Sequence, residues 1–180
     1  HPLAGDCILA RLPHTERGAP GILILGHMDT VHPIGTLAKL PIRREGNLCY
    51  GPGIADMKGG NYLALEAIRQ LAAVGAQTPL PITVLFTSDE EIGSPYTRNL
   101  IEAEAGRAIA VLVPEPARRG NGVTSGRYAV ARYHISTHGR PSHAGLRLSE
   151  GRSAIRKMAE TIIAIESMSQ NDCTFSVGVT

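Results

Sequence analysis

Four stretches of this chain end in residues that could do chemistry. His27 and Asp29 follow the apolar run GILILG, Asp89, Glu90 and Glu91 follow PITVLF, Glu115 follows AIAVLV, and Asp56 stands between the first two runs. Three carboxylates in a row repel, and each costs on the order of several kcal/mol if it leaves water unpaired. A cation resolves that conflict. One imidazole with several carboxylates is a donor set for a hard to borderline divalent ion such as zinc, and more carboxylates than one ion needs points to two. Adjacent glutamates can also divide two tasks. A carboxylate on a metal is a poor base, whereas its neighbour can take a proton from a metal-bound water and pass it to a leaving amine. This logic makes Glu91 a ligand and Glu90 the base, although spacing alone does not choose between them.

Each residue also has a plainer reading. Asp56 before a helical pattern suits an N-cap, which is compatible with metal binding. Glu90 and Glu91 could complement a helix dipole, Glu115 between two prolines could be a solvated loop residue, and Asp89 could hydrogen-bond its own turn. No spacing singles out His32, His134 or His138.

The elements that must position these groups follow from periodicity. GILILGH, LPITVLFTS and AIAVLV are apolar runs of the kind buried on both faces of a parallel sheet. Between the first two, Leu63, Ala64, Ala67, Ile68, Leu71 and Val74 recur at helical spacing until Gly75. Between the second and third, SPYTRNLIEAEAG reads as a helix capped by Ser94, opened by Pro95 and stopped by Gly106. Strand, helix, strand, helix, strand predicts an α/β fold with a mostly parallel sheet and flanking helices. Sites in such sheets lie beyond the carboxyl ends of the strands, where the ionisable residues fall. Gly59 and Gly60 are poor openers for a helix, which close backbone approach to the site would explain. From Tyr128 the texture changes. YAVARYHIST alternates like an antiparallel strand, Ile155, Met158, Ile162 and Ile165 mark one helix face, and TFSVGV reads as a further strand. A boundary falls in GNGVTSG, giving units over 1–122 and 123–180. No internal repeat or low-complexity tract interrupts this plan.

Composition sets wide bounds. Hydrophobic residues make up 43% of 180, enough for a core, and the net charge of +2 carries no basic run, so charge offers no case for nucleic acid or an acidic membrane. No stretch approaches the roughly 18 apolar residues of a membrane span. Cys7, Cys49 and Cys173 are isolated and leave the redox compartment open. The chain opens on HPLAG and ends on CTFSVGVT, which reads as cut inside a sheet, so a fragment or processed chain is expected.

In order, GHMDTV, YGPGIADMKGG, TSDEEIGS, PEP and GRPSHAG resemble the glutamate carboxypeptidases within the co-catalytic zinc family that also holds aminoacylases and succinyl-diaminopimelate desuccinylases. The resemblance runs from about Gly21 to the end of the chain. It implies that His27 and Glu115 bind one zinc, that Glu91 binds the other, and that Asp56 bridges both. It also implies that Asp29 orients His27, that Glu90 is the general base, and that the substrate is a small peptide or N-acyl amino acid. It further implies a catalytic domain, here 1–122 and incomplete, and an inserted α+β dimerisation domain, here 123–180 and incomplete. His143 then matches a residue that reaches the partner's site in a homodimer. The family's opening segment, its last zinc-binding histidine and its substrate-binding arginine and asparagine have no counterpart in these residues. Three readings therefore stay open: a zinc carboxypeptidase, an N-acyl amino acid deacylase, and a non-catalytic metal-binding or dimerising module.

Overall fold

The computed structural model describes residues 2–16, 18–127, 129–171 and 173–178. They divide into two compact units, 1–125 and 126–180.

The first unit is built on a four-stranded mixed sheet. Its strands are β1 (Ile8–Arg11), β2 (Gly21–His27), β5 (Ile82–Thr87) and β6 (Ala108–Leu112), in the order β1-β5-β2-β6. β2 runs parallel to β5 and to β6, and β1 lies antiparallel along the outer edge of β5. The three expected parallel strands are present, close to the expected bounds, but β6 is exposed rather than covered on both faces, because it is an edge strand of the sheet; β1 was not foreseen, being short and exposed along its length. The long connection after β2 contains a one-turn helix, α1 (Thr36–Lys39), and a hairpin of β3 (Arg43–Glu45) and β4 (Leu48–Tyr50).

Helix α2 (Gly59–Ala73) links β2 to β5, and α3 (Arg98–Ala105) links β5 to β6. α2 supplies Ala64 and Ile68 to a core of Ile24, Ile82, Val84 and Phe86, the residues of β2 and β5 that share one face. Leu23 and Leu85, on the other face, are also buried. α2 ends as its sequence predicts: Gly75 takes a positive φ of 66°, while Ala76 N–H bonds Leu71 C=O and Gly75 N–H bonds Ala72 C=O. Gly60 has a different reason to be glycine. A Cβ there would collide with the carbonyl oxygen of Pro114, beside Glu115, so close backbone approach brings the helix start to the end of β6.

Two expected helix starts are displaced. Asp56 is not the N-cap of α2, whose cap position is Lys58, without a side-chain cap bond. Asp56 lies instead in an irregular wide turn, Ile54–Lys58, at φ −117° and ψ 103°. Nor does Ser94 cap α3 with Pro95 as its first residue. Ser94 has φ 53°, and Thr97 holds the cap position before Arg98. The buried Asp89 carboxylate does the capping from a distance, accepting from Tyr96 N–H at 2.8 Å, from Thr97 N–H at 3.1 Å and from the Thr97 hydroxyl. That is the turn-bonding role open to Asp89 in the sequence.

In the second unit, helix α4 (Ala154–Glu166) forms where expected, with Ser153 Oγ accepting from Arg156 N–H at 3.0 Å. The strands expected at 128–137 and 174–179 do not form among the described residues; Tyr128 and Val179 themselves lie outside them. Strands are held by ladder partners, and this unit offers only isolated bridges, Arg140 with Arg152 and Gln170 with Cys173. No helix among the described residues is long and apolar enough to cross a membrane.

Candidate metal centre

The strand order places the site. From β2 the chain steps through α2 to β5 on one side, then through α3 back across β2 to β6 on the other. At such a reversal successive connections run to opposite sides of β2 and open a crevice beyond its carboxyl end. His27 is the last residue of β2, is only 1% exposed, and pairs in register with Thr87.

His27 is held through one ring nitrogen and offers the other. Nδ1 lies 3.1 Å from the main-chain oxygen of Asp29, an acceptor only, so Nδ1 carries a proton and donates it. Nε2 faces Asp56 Oδ1 at 3.0 Å, Glu115 Oε1 at 3.6 Å and Glu90 Oε2 at 3.8 Å. A single N–H cannot serve three carboxylates. Burial opposes charge on His27, but Glu90, Asp29 and Glu115 together outweigh it and raise its pKa above the ordinary 6.5.

The acids arrive from three segments, with Asp29 on a fourth. Asp56 comes from the wide turn before α2, Glu90 and Glu91 from a short turn (Glu90–Ile92) after β5, and Glu115 from the Pro-Glu-Pro end of β6. Asp29 ties two of them together. Its side-chain Oδ2 accepts the Glu91 N–H at 2.9 Å, while its Oδ1 lies 3.4 Å from His27 Nδ1. The orienting contact to His27 thus comes foremost from the Asp29 main chain, and the carboxylate braces the turn that carries Glu90 and Glu91. Glu91 also accepts from Val31 N–H at 3.1 Å. Glu90 is half exposed, and its pKa is raised, first by desolvation and then by Glu91, Asp29 and Asp56, against the lowering effect of His27.

This donor set fits a divalent ion. Donor atoms of His27, Asp56 and Glu91 lie within 4.8 Å of one another. Zinc bonds of about 2.0–2.2 Å place tetrahedral ligands roughly 3.3–3.6 Å apart, close to the His27–Glu115 separation. The structure gathers His27, Asp29, Asp56, Glu90, Glu91 and Glu115 in the first unit; His143 belongs to the second, where it is exposed and its Nδ1 accepts from Gly145 N–H at 3.2 Å. Two contacts to His27 had no signal in the sequence. Its N–H meets Met57 Sδ at 3.3 Å, and its C=O accepts from Asn61 Nδ2 at 2.7 Å.

Residues 23–178 match the model of peptidase family M20/M25/M40, and the chain belongs to that family. Among curated relatives it is similar to Carboxypeptidase G2 of Pseudomonas sp. (strain RS-16), with 40% identity over 162 residues, 89% of this chain and 39% of that protein. It is also similar to acetylornithine deacetylase of Salmonella paratyphi B, with 36% identity over 108 residues, 58% of this chain and 28% of that protein. The chain therefore spans well under half the length of these relatives. Two solved structures share its fold. Human carnosine dipeptidase 1 has a TM-score of 0.52 at 20% identity, and an M20 family metallo-carboxypeptidase from Sulfolobus solfataricus has 0.50 at 22%; each match covers 62% of this chain and 26% of that one.

Proposed function

We propose that the protein is a metal-dependent hydrolase that cleaves the amide bond of a C-terminal glutamate or related residue from a peptide or N-acyl substrate. The observation that carries this reading is the convergence of Asp56, Glu115 and Glu90 on Nε2 of a buried histidine. Similarity to Carboxypeptidase G2 over 89% of the chain supports the carboxypeptidase form, and the quoted motifs support glutamate. Similarity to acetylornithine deacetylase supports N-acyl amino acid deacylation as a second reading.

His27, Asp56, Glu91 and Glu115 would hold the metal, with zinc, two ions per site, proposed from the donor types and the motifs. When bound, the ion supplies Lewis acidity that polarises the scissile carbonyl and makes water more acidic. The protein's own groups do the rest. The main-chain oxygen of Asp29 fixes the Nδ1 proton, which keeps the Nε2 lone pair aimed at the acids. Glu90 stands 3.8 Å from that nitrogen without being needed as a ligand, which leaves its carboxylate free to accept and release a proton. It takes the proton of the attacking water and returns it to the nitrogen that leaves as the amide bond breaks. The second unit is proposed to mediate homodimerisation, with His143 contributing to the partner's site.

Glu90→Gln tests the reading. Turnover of an N-acyl-glutamate should fall about 10²- to 10⁴-fold while bound zinc, measured by elemental analysis, stays at the wild-type ratio. Unchanged turnover would remove Glu90 as the base. A panel of N-acyl amino acids that found N-acetylornithine preferred over C-terminal glutamate substrates would favour the deacylase.

A further inference from the structure

The sheet loses a strand beside the metal centre. In a parallel ladder, alternate residues turn their N–H and C=O groups to opposite neighbours. Met28 N–H bonds Thr87 C=O at 2.8 Å on the β5 side, so the N–H and C=O of His27 face the β6 side. β6 has left by then. Its last pairing is Leu112 with Ile24, after which Pro114 and Pro116 flank Glu115 and offer no N–H. The sequence that delivers Glu115 to the site is therefore the one that strips His27 of its ladder partners.

Two side chains from one segment replace them. The His27 N–H meets Met57 Sδ and the His27 C=O accepts from Asn61 Nδ2, and both side chains are buried. Gly26 makes room, since a Cβ there would collide with Asn61 Oδ1. That Oδ1 is itself buried without a partner among the described residues. An apolar residue of similar size would fill the space without burying an unpaired acceptor, so packing does not account for the amide.

Resting on the reading of His27 as a metal ligand, we propose that Asn61, assisted by Met57, is a positioning residue. It clamps the His27 peptide where the strand ends, which holds the imidazole on line with Asp56 and Glu115. Among the described residues no other hydrogen bond holds the His27 main chain on the β6 side, so loosening the clamp lets the ring drift from the acids.

The test is competition of the metal-stripped full protein with a chromophoric chelator for Zn²⁺, alongside circular dichroism and thermal midpoints of the metal-free forms. Asn61→Leu and the isosteric Asn61→Asp, whose ionised side chain cannot donate to His27, should each bind Zn²⁺ about 10- to 100-fold more weakly while still folded. Met57→Leu should lose affinity only a few-fold, because sulfur is a weak acceptor. His27→Ala serves as the reference and should lose more than any of these. If His27→Ala binds Zn²⁺ like the wild type, or the wild type binds none, the metal reading falls and the positioning role with it. If His27→Ala loses Zn²⁺ while both folded Asn61 variants keep wild-type affinity and show only a lower thermal midpoint, the amide is structural and the positioning role alone is overturned. Should Asn61→Leu fail to fold, Asn61→Asp, which keeps the shape, decides by the same criterion.

Discussion

The two ends of the parallel sheet both hold sequestered charge, and they handle it in opposite ways. At the amino end Glu104 of α3, 8% exposed, receives Arg11 through two bonds of 2.7 Å, with Arg107 at 3.6 Å. At the carboxyl end Asp29, Asp56, Glu90 and Glu91 form no ion pair with Arg or Lys among the described residues, and the cation they face is a histidine that also faces Glu115. A carboxylate whose two oxygens both accept from one guanidinium nitrogen is satisfied within the chain, and its consequence is local: it ties α3 to β1. Asp56, Glu90 and Glu91 have no such guanidinium among the described residues, and the proposed divalent ion would supply the missing positive charge. On that reading the contrast separates a structural acid from acids kept for a ligand.

Substitution at each end sharpens that contrast. The largest effect should come from Asp56→Ala, which removes the acid nearest His27 Nε2. Turnover should fall on the order of a thousandfold, reflecting several kcal/mol of lost Lewis-acid stabilisation, and zinc content measured after dialysis should fall with it. Removing the metal itself comes next. With Zn²⁺ at a hundred times its dissociation constant, linkage gives about 2.7 kcal/mol of stabilisation, so chelation should lower the thermal midpoint measurably. The amino end should answer differently. Glu104→Gln leaves Arg11 without its charged partner and should cost about 1–3 kcal/mol in denaturant unfolding, with Zn²⁺ affinity unchanged. A matching loss of zinc affinity would break the distinction between the two ends.

The smallest effect is a pH dependence confined to the metal-free protein. His27 and Glu90 both have raised pKa values when folded, so the folded state holds their protons more tightly than the unfolded chain does. Their contribution is complete below the unfolded values, 4.5 for Glu90 and 6.5 for His27, and is lost as pH rises through the raised ones. The thermal midpoint of the metal-free form should accordingly decline with rising pH across that range more steeply than that of Glu90→Gln. Identical slopes for the two proteins would show that Glu90 carries none of the site's charge conflict.

Much of this was legible before the fold. β2 and β5 announced themselves because strands buried in a sheet read as unbroken apolar runs; β6 has the same apolar run although it is exposed at the sheet edge, and acids at three run ends marked one edge of the sheet. The helix starts were misread for a shared reason. Asp56 and Ser94 have the residue types of N-caps, but Asp56 is drawn to His27 across the crevice and the buried Asp89 does the work assigned to Ser94. Local preference gave way to tertiary partners in both cases. In the second unit the strand expected from alternation at 128–137 does not form among the described residues, because alternation supplies no neighbour to bond with.

What the sequence determined by itself was the inventory: the candidate donors, their placement at the ends of apolar strands, and the family to which those motifs belong. Side-chain chemistry and hydrophobic period are local properties, written in consecutive residues. What only the tertiary structure decided was the pairing. Chain order does not say that β6 returns across β2, that its proline-flanked end abandons His27, or that Met57 and Asn61 take the vacated bonds. Those facts arise from hydrogen-bond groups that must be satisfied wherever the fold buries them, by whatever side chain the topology has carried there.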